Sequence, residues 1–149
     1  MSTRPDRGGR LESRLSTLLR RALLQLEELH RAHLAPQGVS ARQLAVLMFL
    51  DGREPESQQQ AARHLGVDRT TMVGLLDALE AKALVTRHAD AADRRRNVVE
   101  LTDAGRTTLE RATQASDEAE KQLLSGLDAT EAAQLRELLG RVDGRPGAV

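Results

Sequence analysis

Apolar residues recur in steps of three and four along most of this chain, and β-suited runs occupy only one short stretch. The pattern therefore predicts helices and a single hairpin. From Leu11 the apolar positions fall at Leu15, Leu18, Ala22, Leu26 and Leu29, with Leu19 and Leu23 widening the stripe. That spacing defines a long amphipathic helix, which Ala35-Pro36-Gln37-Gly38 ends. Ser40-Ala41-Arg42-Gln43 puts a hydroxyl at a cap and an amide three residues on. It opens a second helix whose body, Leu44 to Leu50, is almost wholly apolar and so buried. Asp51 to Pro55 reads as a turn. Ser57-Gln58-Gln59-Gln60 repeats the capping spacing and opens a third helix that closes at Gly66. Asp68 caps a fourth helix, with Met72, Leu75, Leu76 and Leu79 on its inner face. Leu84–Arg87 and Val98–Leu101 are β-suited runs joined by a polar loop, hence a hairpin. Thr102 caps a fifth helix to about Leu124, and Asp128-Ala129-Thr130-Glu131 opens a last one that stops at Gly140.

Two short helices around Gly66, followed by a hairpin, make a mainly α, winged helix-turn-helix arrangement. Gly66 supplies the backbone freedom of the turn, and Val67 plugs the core beneath it. The expected organisation is one domain over residues 10–141, with a winged-helix lobe at 39–101 between helices at 10–35 and 102–141. Residues 1–9 read as a disordered tail and 142–149 as a flexible one. The terminal helices carry wider leucine stripes than a small winged helix can bury. A partner copy is the simplest cover, so these helices are expected to form a homodimer. The alternative is a helical lid folded back on a monomer.

Charge sharpens this picture. The chain has 22 basic and 22 acidic residues, so a uniformly basic coat for any nucleic acid is excluded. Within residues 53–106 the count is nine against nine, but Arg94, Arg95 and Arg96 gather at the hairpin tip while several acids sit at helix starts as caps. A local basic tip on a neutral protein suits reading a site on double-stranded DNA. There is no cysteine, which removes disulfides, thiolate zinc sites and thiol redox sensing. Phe49 is the one aromatic residue, which argues against base stacking on aromatic platforms. Neither a signal peptide nor a membrane-spanning run is evident, so a cytoplasmic protein without membrane contact is expected. Catalysis finds no support: nucleophile motif, phosphate loop and paired carboxylates are all wanting, so no enzyme and no cofactor is expected. Glu27 and His30 have the i, i+3 spacing of helical metal ligands, but without a further ligand cluster no metal site is assigned.

On the fourth helix the face opposite the core shows Arg69, Thr70, Val73, Gly74 and Asp77, with Thr71 near its edge. Arginine can make a bidentate contact to guanine, and threonine offers a hydroxyl and a methyl. Gly74 lets the helix approach a groove floor, at a cost of roughly 1 kcal/mol of helix stability relative to alanine. At the hairpin tip Asp90-Ala91-Ala92-Asp93-Arg94-Arg95-Arg96 is strongly polar. Arginine enters a narrow minor groove favourably, and Asp93 is expected to hold the Arg95 side chain extended through a salt bridge. With Ser57 and Gln58 at the start of the third helix, the candidate DNA-binding residues are Ser57, Gln58, Arg69, Thr70, Thr71, Gly74, Arg94 and Arg95, with Asp93 as wing support.

Several of these residues carry a family resemblance. Asp93-x-Arg95 followed by Val99-x-Leu101-Thr102-x-x-Gly105 resembles the wing signature of the MarR family of regulators (multiple antibiotic resistance type). Thr71-Met72-Val73 leading to Leu79-Glu80 and Leu84-Val85 is similar to that family's recognition helix running into its wing. The similarity extends over about residues 11–141. It implies a homodimeric transcriptional regulator, a repressor (the favoured reading) or an activator, on a pseudo-palindromic operator, with Arg95 in the minor groove and the helix from Arg69 in the major groove. The helices at 10–35 and 102–141 would then form the dimer interface. It also implies control by a small anionic or aromatic ligand held between the dimer helices and the DNA-binding lobe. Candidate contacts for that effector are His30, His33, Met48 and Phe49; the two histidines either face such a pocket or fray into solvent near Pro36. The sequence departs from the family twice: Gly74 stands where many members place an arginine, and Ala83 replaces the usual glycine before Leu84. A winged-helix protein-interaction module, and a ligand-binding helical dimer without DNA activity, are the competing readings.

Overall fold

The structure, a computed structural model, describes residues 7–51 and 56–144. In chain order the elements are α1 (Arg7–Glu12), α2 (Leu15–Leu34), a 3-10 turn (Ala35–Gln37), α3 (Ala41–Leu50), β1 (Glu56–Ser57), α4 (Gln58–Leu65), α5 (Arg69–Ala81), β2 (Val85–Ala89), β3 (Asn97–Leu101), α6 (Asp103–Leu123) and α7 (Ala129–Val142). Contacts divide the chain into two compact units, residues 30–117 and residues 1–29 with 118–149.

Residues 30–117 form the winged helix-turn-helix. Its core is built from Leu34, Val39, Leu44, Val46 and Leu47, from Ala61 and Ala62 of α4, from Met72, Leu76 and Leu79 of α5, and from Leu84, Val85, Val99 and Leu101. Leu109 and Ala112 of α6 close it, and Val67 packs partly buried against it as expected. The Ser40 capping box is complete: its hydroxyl accepts the Gln43 N–H while the Gln43 amide accepts the Ser40 N–H. The sheet has strand order β1-β3-β2, all antiparallel. Val85 pairs with Leu101 and Ala89 with Asn97, which fixes the hairpin register.

Residues 1–29 and 118–149 form the second unit. A salt bridge of 2.8 Å from Arg136 to Glu120 ties α7 to α6 within it. The Asp128 capping box at the start of α7 is complete.

The structure differs from the sequence expectation in three places. The first helix is two, because the chain turns at Ser13–Arg14, and α1 begins at Arg7, inside the stretch expected to be a tail. Ser57 lies in β1, paired with Val98, and α4 starts one residue later. The last helix runs through Gly140 to Val142, since a glycine costs a helix only about 1 kcal/mol and does not by itself stop it. The expected turn at 52–55 lies outside the described residues, as do 1–6 and 145–149.

Candidate nucleic-acid interface

The α4–α5 junction is set by one glycine and one aspartate. Gly66 adopts φ +63°, and the two bonds that close α4, Gly66 N–H to Arg63 O and Val67 N–H to Ala62 O, form a Schellman end. Asp68 then caps α5 twice over: Oδ1 accepts the Thr71 N–H and Oδ2 accepts the Thr71 hydroxyl, each at 2.7 Å. Those bonds hold the Asp68 carboxyl below the usual carboxylate range. Met72, Leu76 and Leu79 are buried, so α5 turns Arg69, Thr70, Val73, Gly74 and Asp77 outward. Thr71 is half-buried and its hydroxyl proton is committed to the cap, which leaves its methyl and a lone pair for any outside contact. A Cβ built on Gly74 would meet nothing within 4 Å, so no packing within the chain requires glycine there.

The wing tip is shaped by two aspartates. Asp90 Oδ1 accepts the Ala92 N–H at 3.0 Å, and Asp93 Oδ1 accepts the Arg95 N–H at 3.0 Å. The Asp93 carbonyl accepts the Arg96 N–H, and the Arg96 carbonyl accepts the Asp90 N–H. Asp93 therefore supports Arg95 through the backbone, as an Asx turn, and not through the salt bridge to its guanidinium that the sequence suggested. The Arg94 and Arg95 side chains are exposed at the tip. Arg96 instead reaches back to donate to Gln60 Oε1 on α4.

Between α4, the start of α5 and the wing lies an open cleft of about 840 Å³. Arg63 and Arg69 enter it from the helices and Arg95 and Arg96 from the wing, with Gln58, Asp93 and Asn97 also on its walls. It gathers Gln58, Arg69, Asp93 and Arg95 from the sequence candidates. Thr70, Thr71, Gly74 and Arg94 do not line it, and the Ser57 side chain lies outside the described residues.

Two further constructions hold the wing to the helices. Arg87 on β2, about one-quarter exposed, bonds Glu80 through Nε at 2.7 Å and Asp77 through Nη2 at 2.6 Å. The two carboxylates, Glu80 first, raise the Arg87 pKa still further. The sequence offers one faint signal for this clamp, acids three residues apart on the outward face of a helix. The second construction is the joint between α5, β2 and α6. Ala83 sits at φ +57° and ends α5 with a Schellman pair, its own N–H to Glu80 O and the Leu84 N–H to Leu79 O. The Thr102 hydroxyl donates to Ala83 O at 2.7 Å and accepts the Gly105 N–H at 2.9 Å. Thr102 thus caps α6, as expected, and closes on the helix that precedes the wing. A Cβ on Gly105 would lie 2.0 Å from the Leu84 carbonyl oxygen, so that glycine is required by close approach.

The effector candidates are spread out. His30 Nε2 bonds the buried Ser116 hydroxyl at 3.0 Å. Phe49 is buried with its ring 4.9 Å from that of His64, while Met48 beside it is 43% exposed. His33 is half-buried. None of the four lines the cleft described above. Among the described residues no group of three or more His, Cys, Asp or Glu is placed to hold a metal ion. No described helix is long and apolar enough to cross a membrane.

A helix-turn-helix whose second helix shares a cleft with an arginine-tipped wing defines the winged-helix class of nucleic-acid-binding domains. Residues 37–96 match the sequence profile of the MarR family. A probable transcriptional regulator from Pseudomonas aeruginosa is 32% identical, with 89% of this chain and 98% of that one covered and a TM-score of 0.82. The transcriptional repressor CouR, solved bound to a 23-mer DNA duplex, is 33% identical over 91% of this chain and 96% of its own, with a TM-score of 0.85. CouR from Rhodococcus jostii RHA1 bound to p-coumaroyl-CoA matches at 29% identity over 93% and 97%, with a TM-score of 0.78. The chain belongs to the MarR family of DNA-binding transcriptional regulators.

Proposed function

We propose that this protein is a homodimeric, ligand-released repressor that reads a pseudo-palindromic operator. The observation that carries the reading is the cleft with arginines on both walls, Arg69 from α5 and Arg95 and Arg96 from the wing. In this reading α5 enters the major groove with Arg69, Thr70, Thr71 and the open surface at Gly74 facing the bases. Arg95 enters the adjacent minor groove, and Ser57, Gln58 and Arg94 take phosphates. Dimerisation is supported by Leu15, Leu18, Leu23 and Leu24 of α2, each more than half exposed in the single chain. Leu138 and Val142 of α7 are equally open. Apolar surface on this scale is normally covered by a partner. Repression and release by an anionic aromatic acyl compound are proposed by analogy with CouR.

The test is a gel shift with the DNA upstream of the gene against a random duplex at physiological salt. Selective binding, lost on adding the effector, is expected; equal affinity for both duplexes would leave an interaction module or a ligand-binding dimer without DNA activity. Arg95→Ala should weaken binding to every sequence and lower the salt slope by about one counterion per subunit. Arg69→Ala should instead lose roughly 1–3 kcal/mol of discrimination at particular bases. Equal losses on all sequences from both variants would overturn this division of labour.

A further inference from the structure

We propose that Arg87 is a positioning residue for DNA recognition: its guanidinium ties the first strand of the wing to the outward face of α5, so that helix and wing meet the duplex as one unit. The inference rests on the reading of α5 and the wing as the DNA-contacting elements. Asp77 is one helical turn beyond Val73 on the face that carries Arg69 and Gly74, and Glu80 follows three residues later. Both carboxylates are about half exposed, at 56% and 43% of their side-chain surface. Arg87 engages them through two different nitrogens. A two-point bond from a planar group fixes an orientation as well as a distance, which a single contact does not.

Lever length gives this consequence. A strand advances about 3.3 Å per residue, so a tilt of about 15° at Arg87 moves the tip four residues on by about 3 Å. Contacts to a groove edge are lost over that distance. The clamp also occupies two carboxylates that would otherwise face phosphate unpaired.

The competing account is an ordinary surface ion pair, worth little to stability and acting on DNA only through its charge. Two variants separate the accounts, because they change the charge in opposite directions. Asp77→Asn/Glu80→Gln removes two negative charges from the proposed DNA face, and Arg87→Ala removes one positive charge. Bulk electrostatics predicts tighter binding for the first and weaker for the second. Positioning predicts that both lose affinity for the upstream DNA, by about three- to thirtyfold, with a lower ratio of target to random affinity. Arg87→Lys, which keeps the charge but replaces the rigid planar fork with one flexible ammonium, should fall between.

The measurement is fluorescence anisotropy with labelled upstream and random duplexes, on full chains whose helix content is first checked by circular dichroism. Should Arg87→Ala fail to fold, the carboxyl variant, which alters only half-exposed groups, decides alone. If Asp77→Asn/Glu80→Gln binds the target as tightly as the parent chain or more so, positioning is overturned. A parent chain with no preference for the target overturns the DNA-reading assignment and this inference with it. A clear preference that survives unchanged in both variants overturns the clamp alone.

Discussion

Two small residues on either side of the wing show how tightly this fold is constrained at single positions. Ala83 holds a left-handed backbone at φ +57°, a conformation that brings a Cβ against the following carbonyl. Ala83→Gly removes that contact but adds backbone entropy to the unfolded chain. The balance should stabilise the protein by about 0.5–1 kcal/mol, read as a shift in the denaturant midpoint. At Gly105 the demand runs the other way: a Cβ would stand 2.0 Å from the Leu84 carbonyl, and that oxygen also accepts the Thr102 N–H. Gly105→Ala should cost about 3 kcal/mol, since backbone and not a flexible side chain would have to move. A loss under 1 kcal/mol in chemical denaturation would mean that α6 can slide at this joint. The glycine was legible in the sequence as part of a family pattern; its reason was not, because Leu84 is twenty-one residues away.

At the scale of elements, what could be read in the sequence was what is determined locally. Ser40, Asp68, Thr102 and Asp128 cap the helices they were expected to cap, since a cap needs only a few neighbouring residues. The hairpin was legible from its β-suited runs. The two-residue strand β1 was not, because it owes its state to pairing with Val98 and Val99 and to no propensity of its own. Long-range electrostatics were equally hidden: Asp77 looked like part of a reading face and is held by Arg87, ten residues on.

Another such pair crosses the wing, where His88 Nε2 meets Glu100 Oε1 at 2.8 Å. The bond to Glu100, then that to the Ala89 carbonyl, holds the His88 pKa above the ordinary imidazole value. The folded chain therefore keeps a proton that the unfolded chain releases. The stabilisation is complete below about pH 6.5 and is lost as pH rises through the higher folded-state value. Melting temperature should fall over that window, and Glu100→Gln should flatten the fall. An unchanged profile in Glu100→Gln would assign the pH dependence to another histidine.

For the whole molecule the main quantity is apolar surface without a cover. The leucine stripe of the first helices was predictable from its spacing, and in the single chain Leu11, Leu15, Leu18, Leu19 and Leu23 of it stay exposed. Replacing Leu18 and Leu23 together by glutamate should shift the proposed dimer toward monomer, measured by sedimentation at micromolar concentration. The same change should cut affinity for a two-half-site operator much more than for a single half-site, because two linked sites gain from effective concentration. A parent chain that sediments as a monomer would refute the interface.

Gly74 leaves an unfilled place in the middle of the outward surface of α5. Nothing in the fold fills it, and nothing would resist a side chain there. Almost any residue would even improve the helix, since glycine is its weakest former after proline. On the proposed reading of α5 as the DNA-contacting helix, stability and operator choice are uncoupled at this position. A lineage could change which promoter it answers to by one substitution, with no repair needed elsewhere in the fold.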